Sequence, residues 1–257
     1  MGLESLLIFT LLGGMAAGAY GFETILVRKR EGERPWLTTL VVIIMFVVGC
    51  LASATHINDF GRAFASVFVN GTVNLNAAMV HEVFVAGVFA VLAIIDLCIT
   101  LAKKETPYAL RAVTAVVGLI VILAMGFAYI DSYANAIWCE APATVISMLG
   151  GSLAAGLAML GLFGGIDYRA DSAKKWVFGC AGVFALGIIL EIAAFAVHGA
   201  SVIALVIALI IGPIAGSALF VNSGKIKSDQ TLSFIMFALM FVAFAVCRYA
   251  FYATMGI

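Results

Sequence analysis

Charge is scarce in this sequence. Only 11% of the 257 residues are Asp, Glu, Lys or Arg, and 14 acidic and 14 basic side chains leave a formal net charge of zero. A chain with no basic surplus lacks the electrostatic footprint that phosphate backbones call for, which argues against nucleic acid as a partner. Proline is rarer still: of four, only Pro142 and Pro213 fall inside long apolar runs. No polar stretch is long enough to fold by itself, so residues 1–257 read as a single integral domain. The five cysteines (Cys50, Cys98, Cys139, Cys180, Cys247) make no CxxC pair and no CxxCH motif. The chain therefore offers no ligand set for an iron–sulfur cluster, zinc or c-type haem. Its three histidines, His56, His81 and His198, all fall toward one side of the spans, so two stacked haems are excluded and no haem is expected. The first apolar run lacks a basic n-region, which argues for a retained helix rather than a cleaved signal peptide.

What the sequence does have is apolar length. It is 64% hydrophobic with a mean hydropathy of +1.17, more apolar surface than a soluble domain of this size buries. A membrane helix needs about 20 apolar residues. Eight runs qualify, over residues 3–27, 36–56, 77–102, 108–130, 141–164, 175–197, 199–221 and 231–254. The expected fold is all-α, a polytopic membrane protein of eight transmembrane helices in the lipid bilayer. The sixth and seventh runs are separated only by the short turn His198-Gly199-Ala200-Ser201.

Orientation follows from Lys and Arg. Arg28, Lys29, Arg30 and Arg34 occupy the first connection, Lys103, Lys104 and Arg111 the third, Arg169, Lys174 and Lys175 the fifth, and Lys225 and Lys227 the seventh. Twelve of the 14 basic residues thus share one side, and Arg62 and Arg248 the other. The reading places both termini outside, on the periplasmic side, and the basic connections in the cytoplasm. Leu12-Gly13-Gly14-Met15-Ala16-Ala17-Gly18 is similar to Leu149-Gly150-Gly151-Ser152-Leu153-Ala154-Ala155-Gly156. Small residues let membrane helices approach closely, and the similarity suggests two four-helix halves of like orientation; ordinary small-residue packing is the alternative.

Ionisable groups inside spans are costly and are functional candidates by default. Glu23 and Asp96 lie toward the inner side, close enough to the basic loops to pair there. The outer set is richer: His56, Arg62, His81, Glu82, Asp131, Glu140, Glu191, His198 and Arg248. Glu82–Arg248 and Glu191–Arg248 are the candidate buried ion pairs. Glu191 and His198 share a helix face if their helix continues that far. Quinol oxidation would use such a set, because it releases two protons and needs acceptors near each hydroxyl, which histidine or a carboxylate supplies. Aromatic residues at that edge, among them Phe60, Tyr129, Trp138, Phe251 and Tyr252, suit a ring-bearing ligand and equally an ordinary interfacial belt.

These residues resemble a known family, the membrane anchor subunit of dimethyl sulfoxide reductase-type molybdoenzymes. Ile8-Phe9-Thr10 with Gly13 and Ala17-Gly18 is similar to that family's first helix. Ala52-Ser53 with His56, and Arg62-Ala63-Phe64 beyond it, is similar to the second helix and following loop. Glu82 resembles the carboxylate opening the third helix, and Tyr129 and Trp138 are spaced as after the fourth. Arg248 with Phe251-Tyr252 and Gly256 resembles the C-terminal signature. The chain departs from the pattern where Phe244 replaces a Glu, Cys247 a Gly and Phe127 an Arg; Glu191 is the substitute for the missing carboxylate. The resemblance implies an anchor in a bacterial or archaeal cytoplasmic membrane, without haem or metal of its own. It would oxidise menaquinol and pass electrons to an iron–sulfur subunit, which feeds a molybdopterin catalytic subunit. It also implies that His56 and Glu82 bind quinol and accept its protons. Arg62 and Arg248 would be supporting cations, and His81, Glu191, His198, Tyr129 and Trp138 second-rank candidates. Two other functions fit the residues: an eight-helix small-molecule transporter, and a structural anchor without a working quinol site.

Overall fold

The computed structural model describes residues 3–27, 35–55, 68–69, 72–74, 78–130 and 135–254. Among them, eight helices are long and apolar enough to cross a membrane: α1 (Leu3–Leu26), α2 (Leu37–Ala54), α3 (Ala78–Lys103), α4 (Tyr108–Ile130), α5 (Ala141–Leu162), α6 (Asp171–Val197), α7 (Ile203–Val221) and α8 (Asp229–Ala253). The protein is an all-α, multi-pass membrane protein. Between α2 and α3, a two-residue strand β1 (Phe68–Val69) pairs antiparallel with β2 (Thr72–Val73). With eight spans, the start of α1 and the end of α8 lie at one end of the bundle, here the terminal end. The connections α3–α4, α5–α6 and α7–α8 lie at the other, the basic end.

The helices are where the apolar runs are, and their ends are where backbone groups find other partners. α8 starts on Ser228, whose hydroxyl accepts from the Thr231 amide (3.2 Å), one of the donors a helix start leaves open. α6 stops at Val197 because Gly199 turns left-handed (φ 71°), a conformation glycine adopts without strain. α7 resumes only at Ile203. That helix is not regular: Ile210–Ile214, containing Pro213, is wound as a π-helix. Pro213 has no amide to donate to the ladder, and a wider turn accommodates the loss.

Two helices form the axis of the bundle. α1 and α5 are mostly buried, whereas α2, α3 and α7 turn much of their apolar surface outward. They meet through the glycine-rich stretches that resemble each other. A Cβ on Gly18 would stand 2.5 Å from the Ser152 carbonyl oxygen, and one on Gly156 2.5 Å from the Ala19 amide nitrogen. The backbones touch with no side chain between them, the packing that small residues permit in lipid. α5 meets α6 in the same manner, Gly150 against the backbone of Phe184 and Gly187 against that of Ser147.

Around this axis the neighbour relations of α1–α4 recur in α5–α8. α1 packs on α2 and α4, and α5 on α6 and α8. α3 pairs with α4, and α7 with α8; α2 touches α3, and α6 touches α7. Across the middle, α4 reaches α5 and α8 reaches α1.

Toward the basic end, Asp96 is fully buried and is met by hydroxyls from three helices: Tyr20 (2.7 Å), Thr39 (3.4 Å) and Thr100 (3.3 Å). Arg111 donates to the carbonyls of Glu23 (3.1 Å) and Val27 (2.8 Å), closing the end of α1, where four carbonyls lack intrahelical partners. Arg169 ties the α5–α6 connection to the α7–α8 connection through the carbonyls of Ile226 and Lys227 and the carboxylate of Asp229 (2.9 Å). Tyr168, in the same connection, is buried against Gly161, and burial holds its hydroxyl in the neutral form by raising its pKa.

Candidate functional site

Polar groups gather in a second layer, nearer the terminal end, and it has two parts. The first is closed. Arg248 on α8 and Glu191 on α6 are 0% and 1% exposed and form an ion pair. Ser147 on α5 donates to the same carboxylate and accepts from Arg248 Nη2 (2.6 Å). The Cys247 thiol donates to the other carboxylate oxygen (3.0 Å). The guanidinium lies 4.7 Å from the centre of the Phe251 ring, a favourable placement for a cation. Its Nε and Nη1 have no hydrogen-bond partner among the described residues. The ring of Phe251 is stacked in turn on Trp138 (5.1 Å, 12°). The Trp138 indole donates to the Phe251 carbonyl and the Thr254 hydroxyl, both at 3.0 Å.

The second part is open. Glu82 lies in the second turn of α3 and is half-buried, and its neighbours on the chain, Val83 and Phe84, are 62% and 70% exposed. Exposure of that kind on a membrane helix faces lipid. Glu82 makes no hydrogen bond or ion pair among the described residues. It lies close enough to Cys50 on α2, Tyr129 on α4 and Tyr252 on α8 for its charge to act on all three. The two phenols are joined at 2.7 Å, and Tyr252 also reaches the Thr10 hydroxyl on α1 (3.1 Å). Tyr252 is one helical turn beyond Arg248, so the open and closed parts adjoin along α8.

Of the residues the sequence singles out, Glu82, Tyr129 and Arg248 come into this layer. His56 and Arg62 lie outside the described residues. His81 is exposed; as the neighbour of Glu82 it is turned about 100° round the helix. Glu191 is the partner of Arg248, which decides between the two candidate pairs. His198 does not join it. Because α6 ends at Val197, the shared helix face does not form, and His198 bonds Glu140 (3.1 Å) near the surface instead. Trp138 is 2% exposed and its one donor is spent on α8, so it holds the end of that helix.

The departures from the family pattern are each accounted for locally. Phe244 packs on Gly151 and edge-on to Phe184, Cys247 bonds Glu191, and Phe127 is 53% exposed toward lipid. Sequence reasoning missed Ser147 and Thr10 as participants, and Cys50 as a neighbour of Glu82. Their only signal is a small polar side chain inside a span. No group of three or more His, Cys, Asp or Glu placed to hold a metal is found among the described residues. No protein-family model matches the chain, and no curated protein matches it.

Proposed function

We propose that the chain is the membrane anchor and quinol-oxidising subunit of a molybdopterin oxidoreductase, passing electrons from menaquinol to an iron–sulfur partner subunit. The observation that carries this reading is Glu82, a carboxylate within a span with no cation or donor of its own among the described residues. An unpaired carboxylate in lipid is expensive to keep. It is half-buried beside lipid-exposed Val83 and Phe84, and its charge is felt at a pair of phenols, Tyr129 and Tyr252.

Such a site suits an amphipathic ligand that enters from the lipid, with an apolar ring and a hydroxyl at its end. Oxidation of a quinol to a quinone releases two protons and two electrons. Glu82 is the base for one proton. By resemblance His56 takes the other, and the electrons leave to the iron–sulfur subunit. Arg248, held by Glu191, adds positive potential beside the phenols without contacting the ligand. In this reading the site faces the outer side of a bacterial or archaeal cytoplasmic membrane, and the termini face it too.

The test is reduction of the partner's clusters by a naphthohydroquinone in membranes carrying the complex, comparing the parent with Glu82→Gln. Loss of turnover in the variant, with the complex still assembled, is the expected result. Unchanged turnover refutes Glu82 as the base, and absence of turnover in the parent favours a structural anchor.

A transporter is favoured by one feature, the π-wound segment of α7, because broken helices mark transporter substrate sites. Gly212 there lies against Ala243, an apolar contact with no group that would bind a polar solute. Uptake by the purified chain in liposomes would revive that reading.

A further inference from the structure

We propose that the thiol of Cys180 and the thioethers of Met236 and Met240 form a site for one soft monovalent metal ion, of the copper(I) class, in a cavity between α5, α6 and α8. The site lies in the basic half of the bundle, away from Glu82, and stands independently of the quinol reading. It departs from the expectation, carried by the family resemblance, that the chain holds no metal of its own.

The cavity measures about 10 Å³, room for a single occupant the size of one atom or one water. Four of its lining residues carry a heteroatom: Tyr168, Cys180, Met236 and Met240. The rest are alanine, leucine and valine. Met236 and Met240 are one turn apart and share a face of α8, and Cys180 meets them from α6. Packing alone explains these three, but it does not explain Tyr168. That residue comes from the α5–α6 connection, is 4% exposed, and its hydroxyl has no hydrogen-bond partner among the described residues. Phenylalanine would fill the same space without burying an unpartnered hydroxyl, which costs free energy. The polar group nearest in kind is Cys180, whose charge when deprotonated reaches the Tyr168 hydroxyl. A thiol is a weak acceptor, whereas an ionised group accepts strongly. The phenol is therefore matched when Cys180 is a thiolate.

A buried thiolate needs a cation beside it. No Lys, Arg or His lines the cavity, so that cation is a bound ion. Thiolate and thioether ligands select soft ions, and hard cations ask for oxygens. One thiolate cancels one positive charge, so a monovalent ion leaves the site neutral. A divalent ion would leave a net charge among apolar walls. On binding, the ion displaces the Cys180 proton, which leaves to water; a metal–sulfur bond forms and no electron is transferred. The methionine arms are flexible and polarizable enough to close on the ion from α8. Tyr168 donates to the ligating sulfur and touches no metal, so it is a positioning residue.

The experiment titrates the full chain in lipid nanodiscs with copper(I), under anaerobic reducing conditions and against a competing bathocuproine chelator. The parent is expected to hold one copper(I) ion that Cys180→Ser does not, with sulfur-only coordination in its copper-edge X-ray absorption. Met236→Leu/Met240→Leu keeps the packed volume and should lose the same ion. Tyr168→Phe should weaken binding by about 10–100-fold, as loss of a hydrogen bond to a metal ligand does. Copper retained by Cys180→Ser sits on one of the other four cysteines and overturns the proposal. Unchanged affinity in the leucine variant or in Tyr168→Phe overturns it as well, as does a parent that binds no copper(I). If Cys180→Ser fails to fold, the leucine variant decides.

Discussion

The closed cluster on α5, α6 and α8 makes a sharp prediction, because its two charges are not equally dispensable. Replace Glu191 with Leu. Arg248 stays charged, since a guanidinium does not release its proton at any working pH. It is 0% exposed, and its remaining acceptors are the Ser147 hydroxyl, 2.6 Å from Nη2, and the Cys247 sulfur at 3.5 Å. Stranding a buried charge in this way costs about 3–5 kcal/mol. Now replace Arg248 with Met instead. Glu191 keeps two donors, Ser147 and the Cys247 thiol, so both of its oxygens remain hydrogen-bonded. That variant should lose only about 1.5–3 kcal/mol, the value of a charge-assisted hydrogen bond. The double variant Glu191→Leu/Arg248→Met buries no charge and should come within about 1 kcal/mol of the parent. The assay is a double-mutant cycle on the full chain in mixed micelles, unfolding it with increasing detergent and following tryptophan fluorescence. The coupling energy should exceed about 2 kcal/mol. A coupling below about 1 kcal/mol, ordinary for polar pairs between membrane helices, would refute the reasoning. So would a Glu191→Leu variant no worse than Arg248→Met.

Further predictions concern packing and the open part of the layer. Gly18→Ala should destabilise the chain by about 1–3 kcal/mol, because its Cβ would lie 2.5 Å from a backbone oxygen. Gly87→Ala, with nothing within 4 Å, should be neutral or slightly stabilising in the same unfolding assay. Cys50 should react with a lipid-soluble maleimide, read by mass spectrometry. An excess of naphthoquinone should slow that reaction if the ligand sits beside Glu82; equal rates with and without it would place the ligand elsewhere.

The spans were legible because composition alone decides them. Each of the eight apolar runs became a helix, with ends shifted by only a few residues. The turn after His198 was legible as well, since Gly199 is where the chain needs a left-handed residue. Which carboxylate meets Arg248 was not. Glu82 and Glu191 lie on different helices, and the rotation of each helix about its axis is set by tertiary packing, which a single sequence does not display. Thr10 and Ser147 carried no signal, because hydroxyls inside spans commonly bond their own helix. Thr10 does bond its own helix and contributes its lone pair to α8 all the same. Pro213 marked a weak point in α7, but an apolar run reads alike whether it is wound as an α- or a π-helix.

The glycine seam between α1 and α5 bears on what kind of machine this is. Rocking one set of four helices against the other needs a joint that slides, and joints that slide are faced with side chains that change rotamer. Here backbone meets backbone at Gly18 and Gly156, where even an added Cβ would stand 2.5 Å from an atom of the opposite helix. α1 and α5 therefore behave as one welded spar. The ligand of the quinol site proposed above would then come and go at the rim of that spar, along the plane of the lipid.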